Sequence, residues 1–207
     1  MTKKSAPPNP AASPLGRVLS SSAAEFLVGC AGAQGGPLRL GAFVQAETDG
    51  ACAIGVVADI RVVDDAFARQ LVAGDAKADY IQEQRDRRLT PLEVRALSAG
   101  YILPGGEVFH RLPPRPPSAL EAVYPCDGER VRAFLRVPDG GWSFSFLSIL
   151  IAAGASNQVL AECVWQAAAA QLPDPQGRFR QEAARELTRL LAVDLQRLYS
   201  LLPQLNS

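Results

Sequence analysis

Short apolar runs alternate with turn residues over residues 15–112. Runs of this kind, bounded by Gly, Pro and Asp, are typical of β-strands. The pair Asp49-Gly50 favours a tight hairpin, because both residues tolerate positive φ. The long strand predicted after it contains Gly55, which indicates a bulge or a bend where another backbone comes close. The strands predicted in this way cover residues 16–19, 25–29, 39–46, 52–63, 91–103 and 108–112.

The hydrophobic period changes over residues 64–88. Phe67, Leu71, Tyr80 and Ile81 lie among charged residues at a spacing that fits solvated helical turns. This pattern predicts a helical insertion between two strands. We therefore expect residues 15–112 to form a small antiparallel β-barrel, closed or partly open, that carries this insertion.

Four prolines follow the predicted barrel in two pairs: Pro113, Pro114, Pro116 and Pro117. Such a run favours the extended polyproline conformation over a helix or a paired strand. We interpret residues 113–126 as a Pro-rich linker. The alternative is a ligand for an SH3-type domain, since Pro113 and Pro116 have the P-x-x-P spacing with Arg115 between them.

Residues 127–207 are predicted to form a helical domain. Asp127, Ser143 and Ser156 precede helical segments in the position of N-caps. The last helix is predicted from Asp174 as cap and Pro175 as its first residue. Its apolar residues recur every three or four positions: Phe179, Ala183, Leu187, Leu190, Leu191, Leu195, Leu198 and Leu202. The predicted fold class is α+β, a small N-terminal β-barrel followed by a C-terminal helical bundle.

The leucines of the last predicted helix are more numerous than one small neighbour needs. Leu187, Leu191, Leu195 and Leu198 are therefore candidates for docking a partner protein. The alternative is that they pack on the two preceding helices of the same chain.

The balanced composition excludes a strong net electrostatic field around the protein. The chain has 21 basic and 21 acidic residues and 48% hydrophobic residues, so it has enough apolar content for a core and no overall preference for nucleic acid. A local basic cluster, Arg85, Arg87 and Arg88, is the candidate nucleic-acid contact. The alternative is a solvated helix end, because Asp86 interrupts the cluster.

Targeting signals are not apparent. Residues 1–14 have two lysines followed by Pro, Ala and Ser, and we interpret them as a disordered tail because a signal peptide needs an apolar run. The apolar stretch at residues 144–155 is too short for a membrane span. The four cysteines are widely scattered, which favours buried free thiols. We expect a cytoplasmic protein with no membrane association.

Motifs for catalysis or for cofactors are not found either. The segment GDAKAD at residues 74–79 lacks the second glycine and the hydroxyl residue of a phosphate-binding loop. His110 is the single histidine, which excludes a multi-histidine metal site, and we interpret it as a surface or hydrogen-bonded residue. No catalytic residue, metal ligand or cofactor is predicted.

Three strand patterns resemble a known family. They are G-R-V at residues 16–18, L-G-x-x-V at residues 40–44 and G-V-V-x-x-I at residues 55–60. Together they are similar to the HAS barrel, the N-terminal barrel of HerA-type DNA translocases and of ATP-synthase α and β subunits. The resemblance covers residues 15–112. It implies a barrel that helps to assemble a hexameric ring and, in HerA, docks the nuclease NurA. This chain departs from the family in having predicted helices, and no ATPase motif, after the barrel.

The resemblance and the missing motifs lead to one functional expectation. We expect a non-enzymatic protein-interaction or assembly module with a HAS-barrel-like docking surface, whose partner is another protein or further copies of the chain, linked to a DNA-processing translocase system. The alternative is a nucleic-acid-binding accessory protein, because small barrels also bind oligonucleotides. An enzyme would require a pocket that joins His110, Asp64 or a cysteine with a shifted pKa.

Overall fold

A computed structural model of the chain describes residues 13–31, 38–62, 91–171 and 176–206. The strands in these ranges are β1 (Gly16–Ser21), β2 (Glu25–Ala31), β3 (Phe43–Thr48), β4 (Ala51–Val62), β5 (Pro91–Ile102), β6 (Val108–Phe109) and β7 (Ala122–Pro125). The helices are α1 (Gly128–Leu135), α2 (Phe146–Ala152), α3 (Asn157–Ala169), α4 (Gln176–Leu190) and α5 (Leu195–Asn206). The predicted α+β class is confirmed. The helical insertion predicted at residues 64–88 lies outside the described residues.

Six of the strands form a closed antiparallel barrel. Their order is β2-β1-β7-β3-β4-β5, and the pairing of β2 with β5 closes the circle. Strand β6 pairs only with the C-terminal end of β5, at Tyr101 and Ile102. Strand β2 pairs with residues 91–97 of β5, so β6 lies along the part of β5 that β2 does not reach. Strand β6 is therefore an edge strand attached to the barrel.

Strand β7 corrects the predicted end of the barrel. It lies within residues 113–126, the segment that we expected to be a linker, and it joins β1 to β3. A strand of four residues has too few positions for a visible alternation, and its partners are distant along the chain. The segment before it also contacts the barrel, since Ser21 Oγ donates a hydrogen bond of 2.6 Å to the Pro117 carbonyl oxygen.

The proline segment is partly buried against the rest of the chain. Pro113 and Pro117 are buried, whereas Pro114, Arg115 and Pro116 are exposed. Arg115 also forms an ion pair with Asp49 in the β3–β4 turn. An SH3-type ligand needs both prolines of its P-x-x-P pair accessible, and Pro113 is not.

The central strands bury side chains on both faces. Val44 and Val57 point into the barrel interior, whereas Phe43 and Val56 pack against the helices. Strand β4 is buried at seven consecutive positions, 51–57, because one face lines the barrel and the other lies under the helices. This double burial explains the nearly continuous apolar run in the sequence.

Gly55 lies opposite a bulge, because Ile54 pairs with Gly100 and Gly55 pairs with Ser98, which leaves Ala99 of β5 as the extra residue. The register of β4 against β5 shifts between Ile54 and Gly55. The close neighbour is a side chain and not the expected backbone, since a Cβ at Gly55 would lie 2.7 Å from Cζ of Phe26. The Asp49-Gly50 hairpin is also confirmed, although only Gly50 adopts positive φ.

Three of the four predicted helix caps lie in the described residues, and two of these three are confirmed. The side chains of Asp127 and Ser156 accept hydrogen bonds from the backbone amides of Arg130 and Val159. Ser143 is not a cap, because α2 begins only at Phe146. The last predicted helix is two helices, since the chain turns after Leu190 and α5 starts at Leu195.

The break between α4 and α5 has a local cause. Asp194 precedes α5, and its Oδ1 accepts a hydrogen bond of 3.0 Å from the backbone amide of Arg197. A capping carboxylate of this kind starts a new helix. The cap predicted at Asp174 and Pro175 lies outside the described residues. Within the described part of the chain, no helix is long and apolar enough to span a bilayer.

Candidate functional site

A cleft lies between the edge strand β6 and the end of helix α1. Its volume is about 850 Å³, which is in the range of ligand sites in proteins. Two segments, residues 106–111 and 133–138, line it together with Ser143 and Ser145. The turn before β6 supplies one wall, and the end of α1 supplies the other.

His110 is held at both ring nitrogens on one side of this cleft. Nε2 lies 2.9 Å from the Phe134 carbonyl oxygen, and Nδ1 lies 2.9 Å from Ser143 Oγ. A carbonyl oxygen only accepts, so Nε2 carries the proton and donates it to Phe134. Nδ1 therefore accepts a hydrogen bond from the Ser143 hydroxyl. The expectation of a hydrogen-bonded histidine is confirmed.

The surroundings of His110 keep it neutral. Its ring packs 4.6 Å from the Phe134 ring and 5.7 Å from the Phe146 ring, measured between centroids. Burial lowers the pKa of His110, and the hydrogen bond to the Phe134 carbonyl only partly opposes this effect. Uncharged His110 thus links the end of β6 to α1 and to the loop before α2.

The contact between Ser143 and His110 resembles a nucleophile beside a base. In a catalytic triad, a carboxylate on the other ring nitrogen stabilises the imidazolium that forms. Here that nitrogen bonds a neutral backbone carbonyl, and the aromatic surroundings disfavour the charged ring. We therefore assign the pair a structural role.

Two exposed arginines stand at the cleft. Nε of Arg111 donates a hydrogen bond of 2.9 Å to Tyr101 Oη, and its guanidinium carbon lies 4.5 Å from the centroid of the Phe109 ring. That ring stacks on Tyr101 with 5.0 Å between centroids. Arg136 follows the last residue of α1. Neither arginine forms an ion pair with any described residue, while Glu107 adds one carboxylate to the lining.

A second surface is the side of the barrel away from the described helices α1 to α5. Leu19 on β1 is 49% exposed, and Leu120, just before β7, is 69% exposed. The two lie beside each other along β1, because the Leu120 amide donates to the Val18 carbonyl oxygen. Leu27 on β2 is half-buried next to them. We call Leu19, Leu27 and Leu120 the bare barrel face.

Leu120 has an unusual backbone conformation. Its φ is +68°, a left-handed value that is rare for a bulky side chain. Arg17 Nη1 donates a hydrogen bond of 2.8 Å to the Leu120 carbonyl oxygen and holds the segment in place. Such conformations cluster at functional surfaces.

The predicted docking leucines are mostly covered by the chain itself. Leu187, Leu191 and Leu198 belong to the core beneath the helices, so they do not form a surface for a partner. Leu195 is 54% exposed and lies near exposed Val193 and Tyr199. The break between α4 and α5 separates the leucines, and only Leu195 is left at the surface.

The remaining predictions concern the arginine cluster, the cysteines and metal ligands. Arg85, Arg87 and Arg88 lie outside the described residues. The thiols of Cys30, Cys52 and Cys163 are free and buried, as expected, and Cys126 is free and partly buried. Burial raises the pKa of the Cys163 thiol. Among the described residues there is no group of three or more metal-ligating side chains.

Sequence reasoning missed the cleft and the bare barrel face. The cleft joins residues 106–111 to residues 133–145, and no motif marks either segment. The bare barrel face depends on where the helices pack, which a strand pattern does not show. No model of a known protein family matches this chain.

Proposed function

We propose that this chain is a protein-interaction and assembly module that docks a protein partner through the bare barrel face. The observation that carries the proposal is that the described helices pack on one side of the barrel. In the described part of the chain, the contacts of helices with the barrel fall mainly on β4 and β5, whereas Leu19 and Leu120 are exposed on the other side. Exposed apolar groups close together are typical of interaction sites.

The HAS-barrel resemblance supports the same proposal. It rests on the glycine-containing strand patterns at residues 16–18, 40–44 and 55–60, and it implies a barrel that serves assembly. Under this proposal the partner is a further copy of the chain or a protein of a DNA-processing translocase system, and the chain itself performs no reaction.

The test makes the same substitution, an exposed leucine to glutamate, on two different surfaces. Leu19→Glu and Leu120→Glu place a charge on the bare barrel face, and Leu195→Glu places the same charge on the exposed leucine of α5. Circular dichroism first establishes that each variant is folded. Size-exclusion chromatography with light scattering then gives the mass in solution, and affinity purification with and without nuclease identifies retained proteins by mass spectrometry.

We expect an oligomer or a nuclease-resistant partner that Leu195→Glu retains and that both barrel variants lose. A strict monomer with no retained partner contradicts the proposal. Recovery of partners only when nucleic acid is intact overturns it in favour of the alternative, a nucleic-acid accessory role that involves Arg85, Arg87 and Arg88.

A further inference from the structure

We propose that the cleft beside β6 binds an extended peptide segment that carries a carboxylate, by adding the segment as a strand to the free edge of β6. This site is separate from the bare barrel face, so the two proposals can fail independently. Three observations carry the inference: the hydrogen-bonding register of β6, the unpaired arginines and the shape of the cleft.

The register leaves backbone groups of β6 without a strand partner. The amide of Leu103 donates a hydrogen bond of 2.9 Å to the Glu107 carbonyl oxygen, so these two residues face each other as a hydrogen-bonded pair. Hydrogen-bonded and non-hydrogen-bonded pairs alternate in an antiparallel ladder. The next pair, Ile102 with Val108, is therefore a non-hydrogen-bonded one. The amide and carbonyl of Val108 consequently point away from β5.

Strand β6 ends the strand order of the sheet. No strand of the described chain covers the edge to which the Val108 backbone groups point, and residues on both sides of Val108 line the cleft. An open edge with a free donor and a free acceptor is the site to which extended peptides add as an extra strand.

The arginines determine the charge of the segment. Arg111 and Arg136 are exposed cleft residues without an ion pair in the described part of the chain. Arg111 is already oriented by Tyr101 and Phe109, which reduces the entropy lost when a ligand binds. A guanidinium can donate two parallel hydrogen bonds to the oxygens of one carboxylate. Glu107 lies before β6 and Arg111 after it, so the carboxylate of the ligand belongs at the Arg111 end.

The remaining surface of the cleft suits an extended chain. Val108, Val137 and Pro138 provide apolar contacts, and Ser143 and Ser145 provide hydroxyls. A peptide that alternates small apolar and polar residues would place one set of side chains towards this surface. The carboxylate has two sources, an acidic side chain or the C-terminus of the segment, and both have the same chemistry.

The test is fluorescence anisotropy with fluorescein-labelled Thr-Val-repeat peptides that differ at the last residue. One peptide ends in Glu with an amidated C-terminus, one in Gln with a free C-terminus, and one in Gln with an amidated C-terminus. We expect saturable binding of the Glu peptide, of the peptide with a free C-terminus, or of both, and this result shows whether the site takes a side-chain or a terminal carboxylate. The peptide without a carboxylate should bind at least about tenfold more weakly.

Two controls distinguish strand addition at β6 from non-specific electrostatic binding of the peptide. Arg111→Gln and Arg136→Gln should each weaken the better peptide about tenfold, whereas Arg185→Gln, an exposed arginine on α4, should not. The same peptide N-methylated at alternate residues should lose binding, because it lacks the amides that pair with β6. No saturable binding at millimolar peptide, equal binding of the doubly blocked peptide, unchanged binding to both arginine variants or full binding of the N-methylated peptide would each overturn the proposal.

Discussion

Ser98 and His110 both place polar side-chain atoms inside the protein, yet only those of His110 have partners. His110 bonds through both ring nitrogens. Among the described residues, Ser98 Oγ has no hydrogen-bond partner, and Ser98 is fully buried on β5. A buried polar group stabilises a fold only when it is satisfied. The two residues therefore have opposite expected effects on stability.

Replacing Ser98 should not harm the fold. We expect Ser98→Ala to raise the free energy of unfolding by up to about 1 kcal/mol, because it removes an unsatisfied hydroxyl. Ser143→Ala is the matched change at a hydroxyl that forms a hydrogen bond, and it should lower the free energy of unfolding by about 1 kcal/mol. Urea denaturation measures both. A loss of stability in Ser98→Ala as large as in Ser143→Ala would show that the Ser98 hydroxyl is satisfied.

His110 should make stability depend on pH. Burial lowers the pKa of His110 in the folded state from its ordinary value of 6.5, so the unfolded chain binds a proton more readily. The free energy of unfolding should therefore be constant above about pH 7 and fall as the pH drops below 6.5, by at most about 1.4 kcal/mol per pH unit.

Urea denaturation between pH 7.5 and pH 5 checks this dependence. His110→Gln is the control, since an amide can donate to Phe134 and accept from Ser143 without titrating. Because His110 is the single histidine of the chain, the variant should lose most of the slope. An equal slope in both proteins would assign the pH dependence to other groups.

At the scale of the elements, Gly55 on β4 determines how this part of the barrel is filled. Gly55 leaves room for the Phe26 ring, and the bulge opposite it, at Ala99, bends β5. Bulges of this kind allow a sheet to curl and close. Ala99 on β5 and Ile54 and Val56 on β4 all lie on the helix side, so the curvature of these strands also presents the surface on which the helices pack.

A methyl group at Gly55 should strain the barrel. We expect Gly55→Ala to lower the free energy of unfolding by about 1–3 kcal/mol, because the new Cβ would overlap the Phe26 ring. Gly105→Ala is the control, since a Cβ there meets no atom within 4 Å. Thermal denaturation compares the two. Shrinking the ring with Phe26→Leu should reduce the additional cost of Gly55→Ala, and equal effects of the two alanine variants would contradict the overlap.

At the scale of the whole molecule, the barrel and the helices share strands. Strands β3, β4 and β5 contribute residues both to the barrel interior and to the core under the helices. Gly41 also meets the backbone of α3 so closely that a side chain there would collide with Cys163. Neither part retains its buried surface without the other, so we expect them to unfold together.

Tryptophan fluorescence can test this cooperation. Both tryptophans lie in the helical half, where Trp142 contacts Phe179 and Trp165 donates to the Gln204 carbonyl oxygen. We expect the fluorescence and circular dichroism transitions to coincide. Gly55→Ala, a change inside the barrel, should shift both transitions equally. A tryptophan transition that does not move would mean that the two parts are independent units.

Much of the strand pattern was predictable, whereas the site was not. The Asp49-Gly50 turn follows from residues that tolerate its conformation, and Gly55 marks the place where the register of β4 against β5 shifts. The cleft depends on the register of β6, where the pair formed by Leu103 and Glu107 determines the direction of the Val108 backbone groups. Register is a relation between two segments, and one segment alone does not show it.

Local sequence determined the features whose cause lies within a few residues. The hairpin at Asp49-Gly50 and the caps at Asp127 and Ser156 can be understood from short stretches of the chain. Tertiary structure decided the closure by β7, the burial of Leu187, Leu191 and Leu198, and the exposure of Leu19 and Leu120. The physical reason is that pairing and cover come from residues distant in sequence, so a hydrophobic pattern shows that a side chain can be buried but not what buries it.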